Sequence, residues 1–218
     1  MIDGHPVVWL WLVTLMVALA SDDVGVLPLA AHAAGLGIAG LATRGPRSAS
    51  FLAGSAAALG AAAVWLGWWL LVPGATPSFW LRGALGATTV CLCLGLAAQL
   101  VRARGWLSLA ALAGPAAPAF GWLACAGEAL TEVASRRRQR QAVGLTAWLT
   151  AVRDLADGVP GVSPRHLLRL APGDVLQAAA AAAITAALLL REAAGPLPLT
   201  LTACLLPLSL LAPRGIHA

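Results

Sequence analysis

"FLAGSAAALGAAAVWLGWWLLVPG" occupies Phe51–Gly74, and from Phe51 to Val72 it contains no charged residue. A helix needs roughly 20 apolar residues to cross the hydrocarbon core of a bilayer, so this stretch is long enough to span one. Alternation with period two is absent and alanine, leucine and glycine dominate, which argues for a helix and against a barrel strand. Pro73, Gly74 and Pro77 stop the run.

The whole chain shares this character. Of its 218 residues 60% are hydrophobic and 11% charged, with a mean hydropathy of +0.83. Soluble domains are about a quarter charged, so the composition predicts an all-α, polytopic membrane protein. Every basic residue apart from histidine is arginine, and the formal charge is +5. In a membrane protein such an excess marks cytoplasmic loops. No segment interleaves basic and aromatic residues over a polar surface, so nucleic acid is not an expected partner. Cys91, Cys93, Cys125 and Cys204 lie in apolar runs without CxxC spacing. They read as small hydrophobes rather than as a disulfide framework.

Outward from Phe51 the spans repeat. Span one is Pro6 to Ala20, with no basic residues before it. Its end, "ALASDD", loosely mimics a cleavage site, but the further spans favour a retained helix. Span two is Val24 to Ala42, and span four is Leu81 to Val101. Arg44 and Arg47 follow span two, and Arg102 and Arg104 follow span four, so both pairs fall on one side. Asp22, Asp23 and Arg82 fall on the other. The positive-inside rule then puts the N-terminus and the basic loops in the cytoplasm. Trp65, Trp68, Trp69 and Trp80 would form an aromatic belt at the outer surface.

The run Trp106 to Ala126 contains Pro115 and Pro118, which break helices. If it crossed, the arginines after it would lie outside, so it is expected to lie at the cytoplasmic face or to re-enter there. From Ala142 to Asp157, Leu145, Trp148, Leu149, Val152 and Leu155 recur at three- and four-residue steps, the pattern of an amphipathic helix. An alanine-rich helix is predicted from Val175 to Ala193, and a last span from Leu197 to Ala212, leaving the C-terminus outside. The expected organisation is therefore a four-helix transmembrane part (1–105), helices at the cytoplasmic face (106–195), and a last transmembrane helix with its tail (196–218). About five spans result.

"EALTEVASRRRQRQ" (Glu128–Gln141) interrupts this apolar chain with Arg136, Arg137, Arg138 and Arg140. One arginine at the bilayer centre costs about 2.5–3.5 kcal/mol on insertion scales, and four together on the order of 10 kcal/mol. The cluster must face water, headgroups or a protein. Glu132 lies four residues before Arg136, the favourable order for a helical ion pair. A topology signal, a docking point for an acidic soluble partner and an anion site all remain open on the residues alone.

In order along the chain, several stretches resemble the T component of energy-coupling factor (ECF) transporters, the transmembrane coupling subunit of these importers. "HPVVWLWLV" (His5–Val13) is similar to the family's opening His-Pro. "LRGALGATTVCLCLGL" (Leu81–Leu96) is similar to a family helix with an arginine near its start. "LAALAGPAAPAFGWLACAGEALTEVASRRRQR" resembles the stretch leading to an Ala-x-x-x-Arg pattern, matched by Ala134 and Arg138. "ITAALLLREAAG" (Ile184–Gly195) resembles the second arginine motif, with Arg191 in the key place. Glycine, usual after these arginines, follows neither.

The resemblance implies a mechanical role without catalysis. Two cytoplasmic-side helices would end in the arginine motifs, and Arg136, Arg137, Arg138 and Arg191 would each contact one of two ATP-binding-cassette ATPase subunits. Leu145, Trp148, Leu149 and Val152 would contribute a platform for a small membrane S component that binds the cargo, a vitamin or a transition-metal ion. The chain itself would hold no cofactor, since ATP is bound by the partners. Its place would be the bacterial cytoplasmic membrane.

Two other classes compete with that role. A membrane-embedded enzyme would need a motif, and neither HExxH nor GxSxG occurs. Asp154 and Asp157 read as the wet face of the amphipathic helix. An anchoring or assembly protein would have no ATPase partner. His32, inside span two, is an intramembrane ionisable group and so a functional candidate. Its ordinary role would be a neutral ring hydrogen-bonded to a neighbouring helix. His5, His166 and His217 form no metal-ligand spacing.

Overall fold

Proline marks where two of the first four helices begin. Pro6 opens α1 (Pro6–Ser21) and Pro77 opens α4 (Pro77–Leu100), each at a position whose missing N–H has no helical partner to lose. Between them lie α2 (Val26–Ala42) and α3 (Ser48–Leu71). The computed structural model describes residues 4–43, 48–72, 74, 76–101 and 172–211. Beyond α4 the described chain resumes with α5 (Pro172–Leu189) and the one-turn α6 (Arg191–Ala194). Two short helices follow, α7 (Leu197–Thr202) and α8 (Leu205–Leu211). No strand occurs among the described residues, and the chain is all-α there.

Polar contacts fix which helix ends lie together. At one end the Gly4 N–H donates to the Leu100 carbonyl at 2.8 Å and the His5 N–H to Asp174 Oδ1 at 2.9 Å. Gln99 Nε2 donates to the Thr43 carbonyl at 2.7 Å. This His5 end gathers the start of α1, the ends of α2 and α4, and the start of α5. At the other end Arg82 pairs with Asp23, and Arg191 with Asp22. This Asp22 end gathers the α1–α2 link, the start of α4 and the end of α5.

The alanine-rich helix therefore differs from its expected place among coupling helices at the face of the bundle. It runs beside α1 from the His5 end to the Asp22 end, and also packs on α7 and α8. Its fully buried Ala181 and Ile184 join the core of Trp9, Leu12, Met16, Leu19 and Leu29. The predicted last span is likewise two helices. Pro207 has no N–H to offer the Ala203 carbonyl four residues back, and the chain breaks its helix at Ala203–Cys204. Gly35 of α2 meets that break: a Cβ there would fall 2.6 Å from the Ala203 oxygen. α7 and α8 run alongside α2, so Leu211 heads to the His5 end; the C-terminus, expected outside, lies beyond the described residues.

Small residues set the helix spacing. A Cβ at Gly54 would fall 2.8 Å from Gly95 Cα and 2.9 Å from the Cys91 oxygen, so α3 lies directly on the backbone of α4. Glycine at such crossings permits close backbone approach. α4 is α3's chief neighbour. Phe51 adds one further contact, its ring seated where a Gly40 side chain would stand. Both α4 and residues 51–71 of α3 are long and apolar enough to cross a membrane. Only 11% of the most apolar window of α3 is buried, against 56% for α4.

Candidate functional site

The described residues present polar groups at three levels of the bundle. The Asp22 end carries the charges. The turn after α1 offers two carboxylates in sequence, and Gly25, at φ 80°, turns the chain into α2. Arg82, one turn into α4, reaches back to this turn. Its Nη2 donates to the Asp22 carbonyl at 2.9 Å while Nη1 pairs with the Asp23 carboxylate. Arg191, first residue of α6, takes the Asp22 carboxylate. Both arginine side chains are 29% exposed, whereas Asp23 is 87% exposed. The outer pair is thus worth at most about 1 kcal/mol, and the Asp22–Arg191 pair is the better sheltered. Two residues before Arg82, Trp80 is buried among Trp65 at 5.7 Å, Phe79 at 5.2 Å and Trp68 at 6.5 Å between ring centres. Tilted and edge-on geometries of this kind are favourable for aromatic pairs. The rings join α3 to α4, and Gly83 makes room for the Trp65 indole.

At mid-bundle His32 is fully buried. Its Nδ1 lies 2.9 Å from the Pro28 carbonyl and its Nε2 lies 3.4 Å from Thr202 Oγ1 on α7. One turn outward Thr89 Oγ1 lies 2.8 Å from the Leu85 carbonyl of its own helix and 3.4 Å from the Leu29 carbonyl of α2. Cys93 is fully buried on the same helix, while Cys204 is exposed at the break between α7 and α8.

At the His5 end one buried carboxylate serves two helix starts. Asp174 stands in the first turn of α5 and accepts the N–H of His5, the residue that precedes α1. Negative charge is favourable at both positions. One turn further in, Gln177 is buried with neither amide atom hydrogen-bonded among the described residues. Val101 and Pro172 both lie at this end, so the chain leaves the described bundle and re-enters it on the same side. The link between α2 and α3, which carries Arg44 and Arg47, connects there too.

Of the residues expected to dock ATPases, Arg136, Arg137 and Arg138 lie outside the described residues, as do the platform residues Leu145, Trp148, Leu149 and Val152. Arg191 is described, and it sits opposite the His5 end. Asp22 outside and Arg191 in the cytoplasm are thus incompatible expectations, because the two side chains touch. Sequence reasoning treated Arg191 by its local motif alone. The available signal was the charge balance: an acidic pair in one link and two isolated arginines at helix ends. Comparison with known protein families, characterised proteins and solved structures finds no match.

Proposed function

We propose that this chain is a multi-pass membrane protein of the bacterial cytoplasmic membrane and acts as the transmembrane coupling subunit of an ECF-type importer. It would transmit the motion of two ATPase subunits to a small S component that carries a vitamin or a transition-metal ion. Membrane residence is supported by the bare outer surface of α3, where Leu59, Leu70 and Leu71 are more than 70% exposed. A soluble monomer rarely leaves such a surface uncovered. Lipid satisfies it without a partner.

The observation that carries the coupling reading is the common location of Val101 and Pro172. Residues 102–171, with the arginine cluster and the amphipathic pattern, leave and rejoin the bundle at one end. That end also receives Arg44 and Arg47, so the positive-inside rule turns it to the cytoplasm, where ATPases are. Docking is assigned to Arg136, Arg137 and Arg138. The ion pair with Asp22 speaks for a structural role of Arg191.

Affinity purification of the chain from its native membrane in mild detergent tests this. One or two ATPase chains and a small hydrophobic membrane protein are expected to accompany it. Replacing Arg136, Arg137 and Arg138 together by glutamate should release the ATPases, because truncating a buried charge contact at an interface costs about 2–5 kcal/mol. Arg191→Ala should retain them. Recovery of a well-folded chain with no ATPase would sink the coupling reading.

A further inference from the structure

We propose that His32 is an intramembrane proton-binding site coupled to the break in the last helix. A carbonyl only accepts, so the 2.9 Å contact to Pro28 places a hydrogen on Nδ1. The Thr202 hydroxyl has a single hydrogen, and it lies 2.7 Å from the Leu199 carbonyl, which again only accepts. In that arrangement the hydroxyl hydrogen serves Leu199 and not His32. In the neutral ring the Nε2 lone pair then faces the lone pairs of Thr202 Oγ1 across 3.4 Å, with no donor between them. A second proton on Nε2 resolves the mismatch. Nε2–H donates to Thr202 Oγ1, which donates to Leu199, and Nδ1–H donates to Pro28.

The position gives the proton something to act on. Thr202 is the last residue of α7, and the helix breaks immediately after it at Ala203–Cys204. Ala203 has lost its helical donor to Pro207 and rests on Gly35, one turn beyond His32 on the same face of α2. Protonation ties α2 to α7 at the edge of the break. In the neutral ring the Thr202 hydroxyl must choose between its own helix and His32.

Among the described residues no charged side chain stands within this contact. α2 carries no other titratable residue. α4, which packs on it, carries Arg82 at its far start and the thiols of Cys91 and Cys93. α7 and α8 carry no charged residue, and Cys204 lies in the link between them. Asp22 and Asp23, on the α1–α2 link, are held by Arg191 and Arg82. The site does not depend on the coupling reading, and its test needs no partner protein.

The test is 15N-histidine NMR of the full chain in lipid nanodiscs, acidified from about pH 8 to about pH 5. His32→Gln identifies the signal. Both ring nitrogens of His32 are expected to become protonated in this range in the wild type and in Thr202→Ser. In Thr202→Val, which removes the acceptor for Nε2–H, the transition should fall by about one pH unit or more. A nitroxide on Cys204, with the other three cysteines replaced by alanine, should change mobility over the same range and lose that response in His32→Gln. A ring that stays neutral throughout, or titrates identically in Thr202→Val, overturns the proton site. A label on Cys204 that ignores pH while His32 titrates overturns the coupling to the break.

Discussion

Asp174 shows how much one side chain can hold. It lies in the first turn of α5 and accepts the N–H that precedes α1, so two positive helix starts converge on one buried carboxylate. Asp174→Ala removes both interactions and is expected to cost about 1–2 kcal/mol, read as a lower denaturation midpoint in mixed micelles. Gln177, one turn on, has the opposite sign. Both its amide atoms are buried without partners among the described residues, and an orphaned buried polar group costs about 1–3 kcal/mol. Gln177→Met keeps the volume and removes the orphans, so it should raise the same midpoint. A fall would mean that water satisfies the amide. Neither role was legible beforehand. "PGD" announces a helix start, but that Asp174 also serves α1 depends on a neighbour about 170 positions away.

Elements were easier to read than their partners. The unbroken apolar run at Phe51 and the prolines around it gave α3 and α4 to within a turn, because helix length and stop signals are local. The break of the last helix was written in Pro207, yet one proline in an apolar run does not say whether a helix bends or stops. α3 depends chiefly on α4, and the two meet through Gly54 against Gly95 and the Cys91 carbonyl. Gly54→Leu must drive backbone from backbone, a cost of about 1–3 kcal/mol for overpacking. The expected result is loss of the Trp65–Trp80 contact, visible as altered tryptophan fluorescence. Gly60→Leu, six residues along the same helix with open space around it, should leave the spectrum unchanged.

For the whole molecule the orientation is the leading consequence. The His5 end receives the basic links, and the arginines of the Asp22 end are neutralised within it. In intact cells Asp23→Cys, in a background without other cysteines, should react with an impermeant maleimide. A cysteine at Arg44 should react only after permeabilisation. The reverse pattern would invert the bundle and move residues 102–171 to the outside. Sequence periodicity marked where apolar helices lie among the described residues but not the path of α5. A helix of alanine is apolar enough to lie on a membrane face or inside a bundle, and only the packing of its Ala181 and Ile184 into the core of Trp9, Leu12 and Met16 decides.

The shared location of Val101 and Pro172 has a consequence for how such a chain can change. Val101 and Pro172 fix where the stretch between them starts and ends, and both points lie at one end of the bundle. Doubling the length of a flexible loop adds only about 0.6 kcal/mol to its closure. A change in the number of residues between these two points therefore need not move either of them.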